Sequence, residues 1–124
     1  MEMSLSEKIS LAIAVMIALV IFYMSSLSYP PNPFQYVFSW SSLVYHFVIF
    51  MMLGVFVCYG LKAEKNLIIL GLIICIIYGG LDELHQFFVP GRYSSFTDFF
   101  ADSIGGVVGF VVVLIVGKFV KTTR

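Results

Sequence analysis

The chain has 124 residues, of which 60% are hydrophobic and 11% charged, with a formal net charge of zero and a mean hydropathy of +1.03. Soluble domains carry about a quarter charged residues, so too few charges are present to cover a water-facing surface, and the high hydrophobicity excludes intrinsic disorder. Seven basic residues balance seven acidic ones, which leaves no net field to attract nucleic acid, and a need for about 20 apolar residues per span limits the chain to at most about four or five crossings.

In chain order, the first span is expected over residues 9–27, apolar apart from a few hydroxyls, after Lys8 and before a Ser-Tyr-Pro-Pro-Asn-Pro segment. It exceeds the about 7–15-residue core of a secretory signal peptide and is therefore read as a retained span. The Ser28–Ser42 connection has no charge and holds Tyr29, Phe34, Tyr36, Phe38 and Trp40. Such an aromatic belt is expected along the membrane surface, as a wall or lid. The second span is expected over 43–61, the third over 67–89 after a turn marked by Lys62, Glu64 and Lys65, and the fourth over 96–120 after the Pro90–Ser95 turn. The expected fold is all-α, a four-helix integral membrane bundle in one domain, 1–124, without internal repeats. Cys58 and Cys75 lie on different spans without a CxxC pattern, so they read as small core hydrophobes.

Positively charged loops stay on the cytoplasmic side. Four spans put Lys8, Lys62, Lys65, Lys118, Lys121 and Arg124 on one face and Arg92 on the other. Both termini are then expected in the cytoplasm, with Ser28–Ser42 and Pro90–Ser95 facing the envelope of a multi-pass plasma-membrane protein.

That topology gathers the remaining polar residues. His46 opens the second span, Asp82, Glu83, His85 and Gln86 close the third, and Asp98 and Asp102 open the fourth, all within about 10–12 Å of the outer boundary at a rise of about 1.5 Å per residue. Asp82, His85 and Gln86 share one helical stripe and Asp98 and Asp102 another. The second stripe continues into Gly105 or Gly106 and then Gly109, a small-residue pattern that permits close helix approach in lipid and offers a contact for oligomers. Gly79 and Gly80 can serve the third span in the same way.

Each residue also has a simpler reading. Ser95-Phe-Thr-Asp98 fits a capping box. Arg92 fits a solvated turn residue or an ion-pair partner of Asp82 or Glu83. His46 fits an interfacial histidine bonded to a carbonyl, and Glu83, about 100° off the Asp82 stripe, can reach headgroup water. Asp102 lies a turn deeper than a cap requires. His46, Asp82, His85 and Asp102 offer imidazole and hard oxygen ligands for a divalent metal, although no nucleophile motif or HExxH pattern names a catalytic residue.

The run Leu81-Asp-Glu-Leu-His-Gln-Phe-Phe-Val-Pro-Gly-Arg92, then Ser95-Phe-Thr-Asp98, then Ala101-Asp-Ser-Ile-Gly-Gly106 resembles the signature of the VanZ-like family of small membrane proteins. Ser25, Ser26 and Pro30 resemble the family's first outer segment, and His46 its histidine at the start of the second span. Many members carry an Asp-Lys pair shortly before that histidine, where this chain has Ser42-Leu43 and so lacks two charges. The resemblance implies a link to envelope glycopeptides, teicoplanin resistance and lipid-linked cell-wall chemistry, without an agreed reaction.

Together these features lead to an expected outward-facing polar pocket formed from His46, Asp82, Glu83, His85, Gln86, Arg92, Asp98 and Asp102. Membrane lipids are the expected surroundings, and a lipid headgroup, a cell-wall precursor or a lipoglycopeptide such as teicoplanin is the expected ligand. The alternative is a membrane-embedded enzyme using a histidine, carboxylate or metal site on a lipid-linked substrate. A transporter is disfavoured, because such proteins place sites at the midplane, often between inverted repeats. If the cluster is only interhelical glue, Asp82→Asn changes stability and nothing else.

Overall fold

The computed structural model describes residues 2–29, 39–61 and 65–122. Within them lie four helices and no strand: α1 (Leu5–Ser26), α2 (Trp40–Leu61), α3 (Lys65–Phe87) and α4 (Phe96–Thr122). Each contains a stretch of 22 to 24 residues long and apolar enough to cross a membrane, or about 33 Å or more at the α-helical rise, against a hydrocarbon core of about 30 Å. The aromatic loop expected as a lid falls largely on residues 30–38 and the basic turn on 62–64, both outside the described residues.

The helices differ from the apolar runs at their ends, because polar caps set the boundaries. α1 starts at Leu5 rather than Ile9, since Ser4 Oγ accepts from the Glu7 amide at 3.3 Å while the Ser4 amide donates to Glu7 Oε2 at 2.8 Å, a complete capping box. This use also accounts for Glu7, a buried carboxylate at the end of the bundle away from the other buried acids. α2 starts at Trp40, where Ser39 Oγ accepts from the Ser42 amide at 3.4 Å. α3 stops at Phe87 rather than Val89. Amides of Phe88 and Val89 reach back to the His85 and Gln86 carbonyls at 3.0 and 3.1 Å, and Pro90 cannot continue the helix.

Three contacts fix the up-down-up-down arrangement. Ser10 Oγ donates to the Phe56 carbonyl at 2.7 Å, which pairs the start of α1 with the end of α2. Ser25 near the end of α1 meets Asp82 near the end of α3, and His46 near the start of α2 meets Asp102 near the start of α4. The core combines Ala14, Ile17 and Ile21 with Phe50, Leu53, Cys58, Cys75 and Phe110. Both cysteines are free and buried. Large apolar side chains such as Leu19, Ile69, Ile77 and Val116 cover the outside, which suits a lipid environment and no aqueous one.

Glycine brings α2 and α4 together. A Cβ on Gly105 would collide with the Phe47 carbonyl, one on Gly109 with the Met51 carbonyl, and one on Gly54 with the Gly106 carbonyl. The inward-turned small-residue face of the fourth span is thus present. Within the chain, α2 packs against that face at Gly105 and Gly109.

Candidate functional site

The loop end of the bundle, where α1 and α3 finish and α2 and α4 begin, buries His46, Asp82, Glu83, Gln86 and Asp102 to 5% exposure or less. α2 supplies His46, whose Nδ1 contacts Asp102 Oδ1 at 2.8 Å. The same Nδ1 lies 3.9 Å from Glu83 Oε1, and Nε2 lies 3.9 Å from Asp98 Oδ2, so carboxylates face the imidazole on both edges. Tyr45 packs beside it edge-on, with ring centroids 5.6 Å apart.

α3 supplies Asp82 and Glu83. Asp82 accepts from Ser25 Oγ at 2.5 Å and from Gln86 Nε2 at 2.9 Å, a bracket that holds both oxygens. Glu83 Oε2 accepts from the Ser95 amide at 2.7 Å. Glu83 is buried and does not reach out to headgroup water. It also takes the acceptor role that a capping box would give Asp98, while Ser95 Oγ pairs with Thr97 Oγ1 at 2.6 Å. Released from capping, Asp98 turns toward His46 and receives Ser42 Oγ at 3.4 Å.

Two expected members stand apart. His85 Nε2 lies 3.0 Å from Ser26 Oγ and its ring packs on Phe22 with centroids 4.8 Å apart, so it faces α1. The physical reason is angular. Asp82, Glu83, Gln86 and Gly79 fall within about 50° of one direction around α3, whereas His85 falls about 110° from it at 100° per residue. Gly79 allows that rotation, since its missing side chain lets Asp102 Cβ and Phe50 sit against the backbone. Arg92 is neither a solvated turn residue nor a partner of Asp82 or Glu83. Its Nε donates to the Leu27 carbonyl at 3.1 Å and its Nη2 to the Met24 carbonyl, and the guanidinium lies 4.7 Å from the Tyr29 ring centroid. It thereby caps the end of α1 with a positive charge. The turn that places it needs Gly91, at φ +78°, where a Cβ would collide with the Tyr29 carbonyl.

Sequence reasoning did not identify Ser25 as the brace of Asp82 or Ser42 as the partner of Asp98, because transmembrane serines often bond only their own helix. Ser26 bonds its own helix through the Phe22 carbonyl at 2.7 Å, besides its contact with His85.

Chemically, the site concentrates carboxylates in a place where isolated charge is costly. Glu83 Oε1 and Asp102 Oδ2 are buried without a hydrogen-bond partner among the described residues. His46, Asp82, Glu83 and Asp102 each present a donor atom within 4.8 Å of the others, close enough to share a metal ion. Glu83 occupies the place in this set that the sequence assigned to His85. A cavity of about 320 Å³, lined by Gly80, Glu83, Leu84, Ser94, Ser95, Phe96 and Phe99, opens between α3 and α4 at the same depth.

No curated protein and no solved structure matches the chain significantly. The family model described as VanZ/LLP1 matches residues 3–117, a range that takes in every residue of the buried cluster and most of all four helices. With that match over nearly its whole length, the chain belongs to the VanZ/LLP1 family.

Proposed function

We propose that the buried cluster is the floor of a chamber that receives the polar head of an envelope amphiphile, in a plasma-membrane protein whose termini lie in the cytoplasm. The ligand class comprises lipid headgroups, lipid-linked cell-wall precursors and lipoglycopeptides such as teicoplanin. The observation that carries this reading is the two buried carboxylate oxygens without a partner among the described residues, Glu83 Oε1 and Asp102 Oδ2. Groups that serve only as interhelical glue satisfy one another, and buried polar atoms without partners are rare. The cleft between α3 and α4 leads to Glu83 from the side, past Leu84 and Phe96, which are 55% and 85% exposed. An open apolar groove along Trp40, Val44, Tyr45 and Val48 lies at the same end. Polar groups at the base of apolar walls suit a molecule with one polar end.

A host expressing the protein is expected to tolerate more teicoplanin than a vector control, and Asp82→Asn or Asp102→Asn at matched protein level is expected to return it to the control. Equal susceptibility with and without the wild-type protein contradicts the glycopeptide version of the reading.

A second reading, an enzyme acting on a lipid-linked substrate, is favoured by the contact between His46 Nδ1 and Asp102 Oδ1. A carboxylate on one nitrogen orients an imidazole so that the other can act as general base. The four-residue donor set also suits a divalent metal cofactor. Turnover of a lipid-linked precursor that is lost in Asp102→Asn supports this reading, and an unchanged precursor pool in both proteins contradicts it.

A further inference from the structure

We infer that His46, Asp82, Glu83 and Asp102 form a one-ion site for a hard divalent cation of the Mn²⁺ type, with Asp98 as the outer group that orients the imidazole. The inference uses the proposed chamber only for its location.

Charge is the first ground. Three carboxylates and one imidazole are buried at one end of a membrane bundle, and Arg92, the nearest cation in sequence, is committed to the Met24 and Leu27 carbonyls. Buried carboxylates require a compensating positive charge or protons. The second ground is independent of charge. Glu83 Oε1 and Asp102 Oδ2 accept no hydrogen bond from the described residues, on residues that are 5% and 1% exposed. The other oxygen of Glu83 is held by the Ser95 amide, which fixes that carboxylate with one free acceptor, the arrangement a ligand needs. Asp102 Oδ1 lies 2.8 Å from His46 Nδ1, close to the about 3 Å between adjacent ligands on one hard cation, and the proton of that contact leaves when the ion binds.

Donor type selects the ion. Donor atoms within 4.8 Å of one another can all reach a single cation with bonds of about 2.0–2.6 Å. Three oxygens and one nitrogen favour manganese over soft-ligand metals and over all-oxygen calcium cages. Ser25 and Gln86 brace Asp82, and Asp98 faces His46 Nε2 at 3.9 Å, which provides an outer shell for two of the four ligands. Four protein donors leave about two positions for water or ligand oxygen.

The test is a Mn²⁺ titration of chelator-treated, monodisperse full-length protein in detergent, following free Mn²⁺ by its paramagnetic resonance signal. One Mn²⁺ bound per chain is expected, with a raised melting midpoint. Glu83→Gln is expected to weaken binding more than tenfold and Asp98→Asn by about tenfold, while His85→Ala binds as wild type. Absence of saturable binding by folded wild-type protein overturns the inference, as does an equal loss in His85→Ala and Glu83→Gln. If Glu83→Gln fails to fold, the wild-type stoichiometry and Asp98→Asn decide. One Mn²⁺ bound by a protein that retains no amphiphile when released from envelope-lipid nanodiscs contradicts the proposed function and leaves the cation site standing.

Discussion

His46 Nδ1 lies 2.8 Å from Asp102 Oδ1 across the interface of α2 and α4, a buried contact between residues 56 apart in the chain. It joins the depth at which the helices begin to the close glycine packing one to two turns below. Removing one member of a buried pair leaves the other uncompensated, at a cost of about 3–5 kcal/mol, whereas removing both costs less than the sum. Chemical denaturation in detergent of His46→Ala, Asp102→Ala and the double variant is expected to show that non-additivity.

The packing below the site yields a prediction with an internal control. Gly109→Ala places a methyl against the Met51 carbonyl, while a methyl at Gly117 on the same helix would meet nothing within 4 Å. Gly109→Ala is expected to destabilise the bundle by about 1–3 kcal/mol, the usual cost of overpacking. Gly117→Ala is expected to be neutral or to stabilise by up to about 1 kcal/mol through helix propensity. Thermal melts of the two variants side by side check the difference.

Arg92 ties the turn before α4 to the end of α1 through the Met24 and Leu27 carbonyls. Hydrogen bonds from charged donors contribute about 1.5–3 kcal/mol, and these, being partly buried, fall toward the lower end. Arg92→Ala is therefore expected to lower the melting midpoint by a corresponding amount and to leave Mn²⁺ affinity close to wild type, because its contacts lie outside the carboxylate cluster. A large change in affinity without a change in melting would place Arg92 in the site instead.

Orientation is open to direct labelling. Cys58 and Cys75 are buried and give little background. Ser94→Cys is expected to react with a membrane-impermeant maleimide on intact cells, and Ala63→Cys only after permeabilisation. The reverse pattern would turn the site toward the cytoplasm.

The four spans and the depth of the polar cluster were legible in the sequence because both depend on composition along one axis: continuous apolar runs, interrupted at one level by His46, Asp82, Glu83, Asp98 and Asp102. Rotation about that axis was not legible. Spacings of three and four both mark a shared face, so His85 and Gln86 looked equivalent beside Asp82. The packing of Gly79 against Asp102 and Phe50 separates them, and it is a tertiary fact. Partners on the backbone were hidden for a related reason. Nothing in the residue types around Arg92 or Glu83 reveals that one bonds carbonyls of α1 and the other the Ser95 amide.

The most direct measurement of the central claim is native mass spectrometry of the protein released from nanodiscs made with envelope lipids. Wild type and Gly117→Ala are expected to retain a bound amphiphile, and Asp102→Asn and Glu83→Gln to lose it while remaining folded. Equal retention in all four proteins would show that the buried cluster holds the helices together and binds no amphiphile.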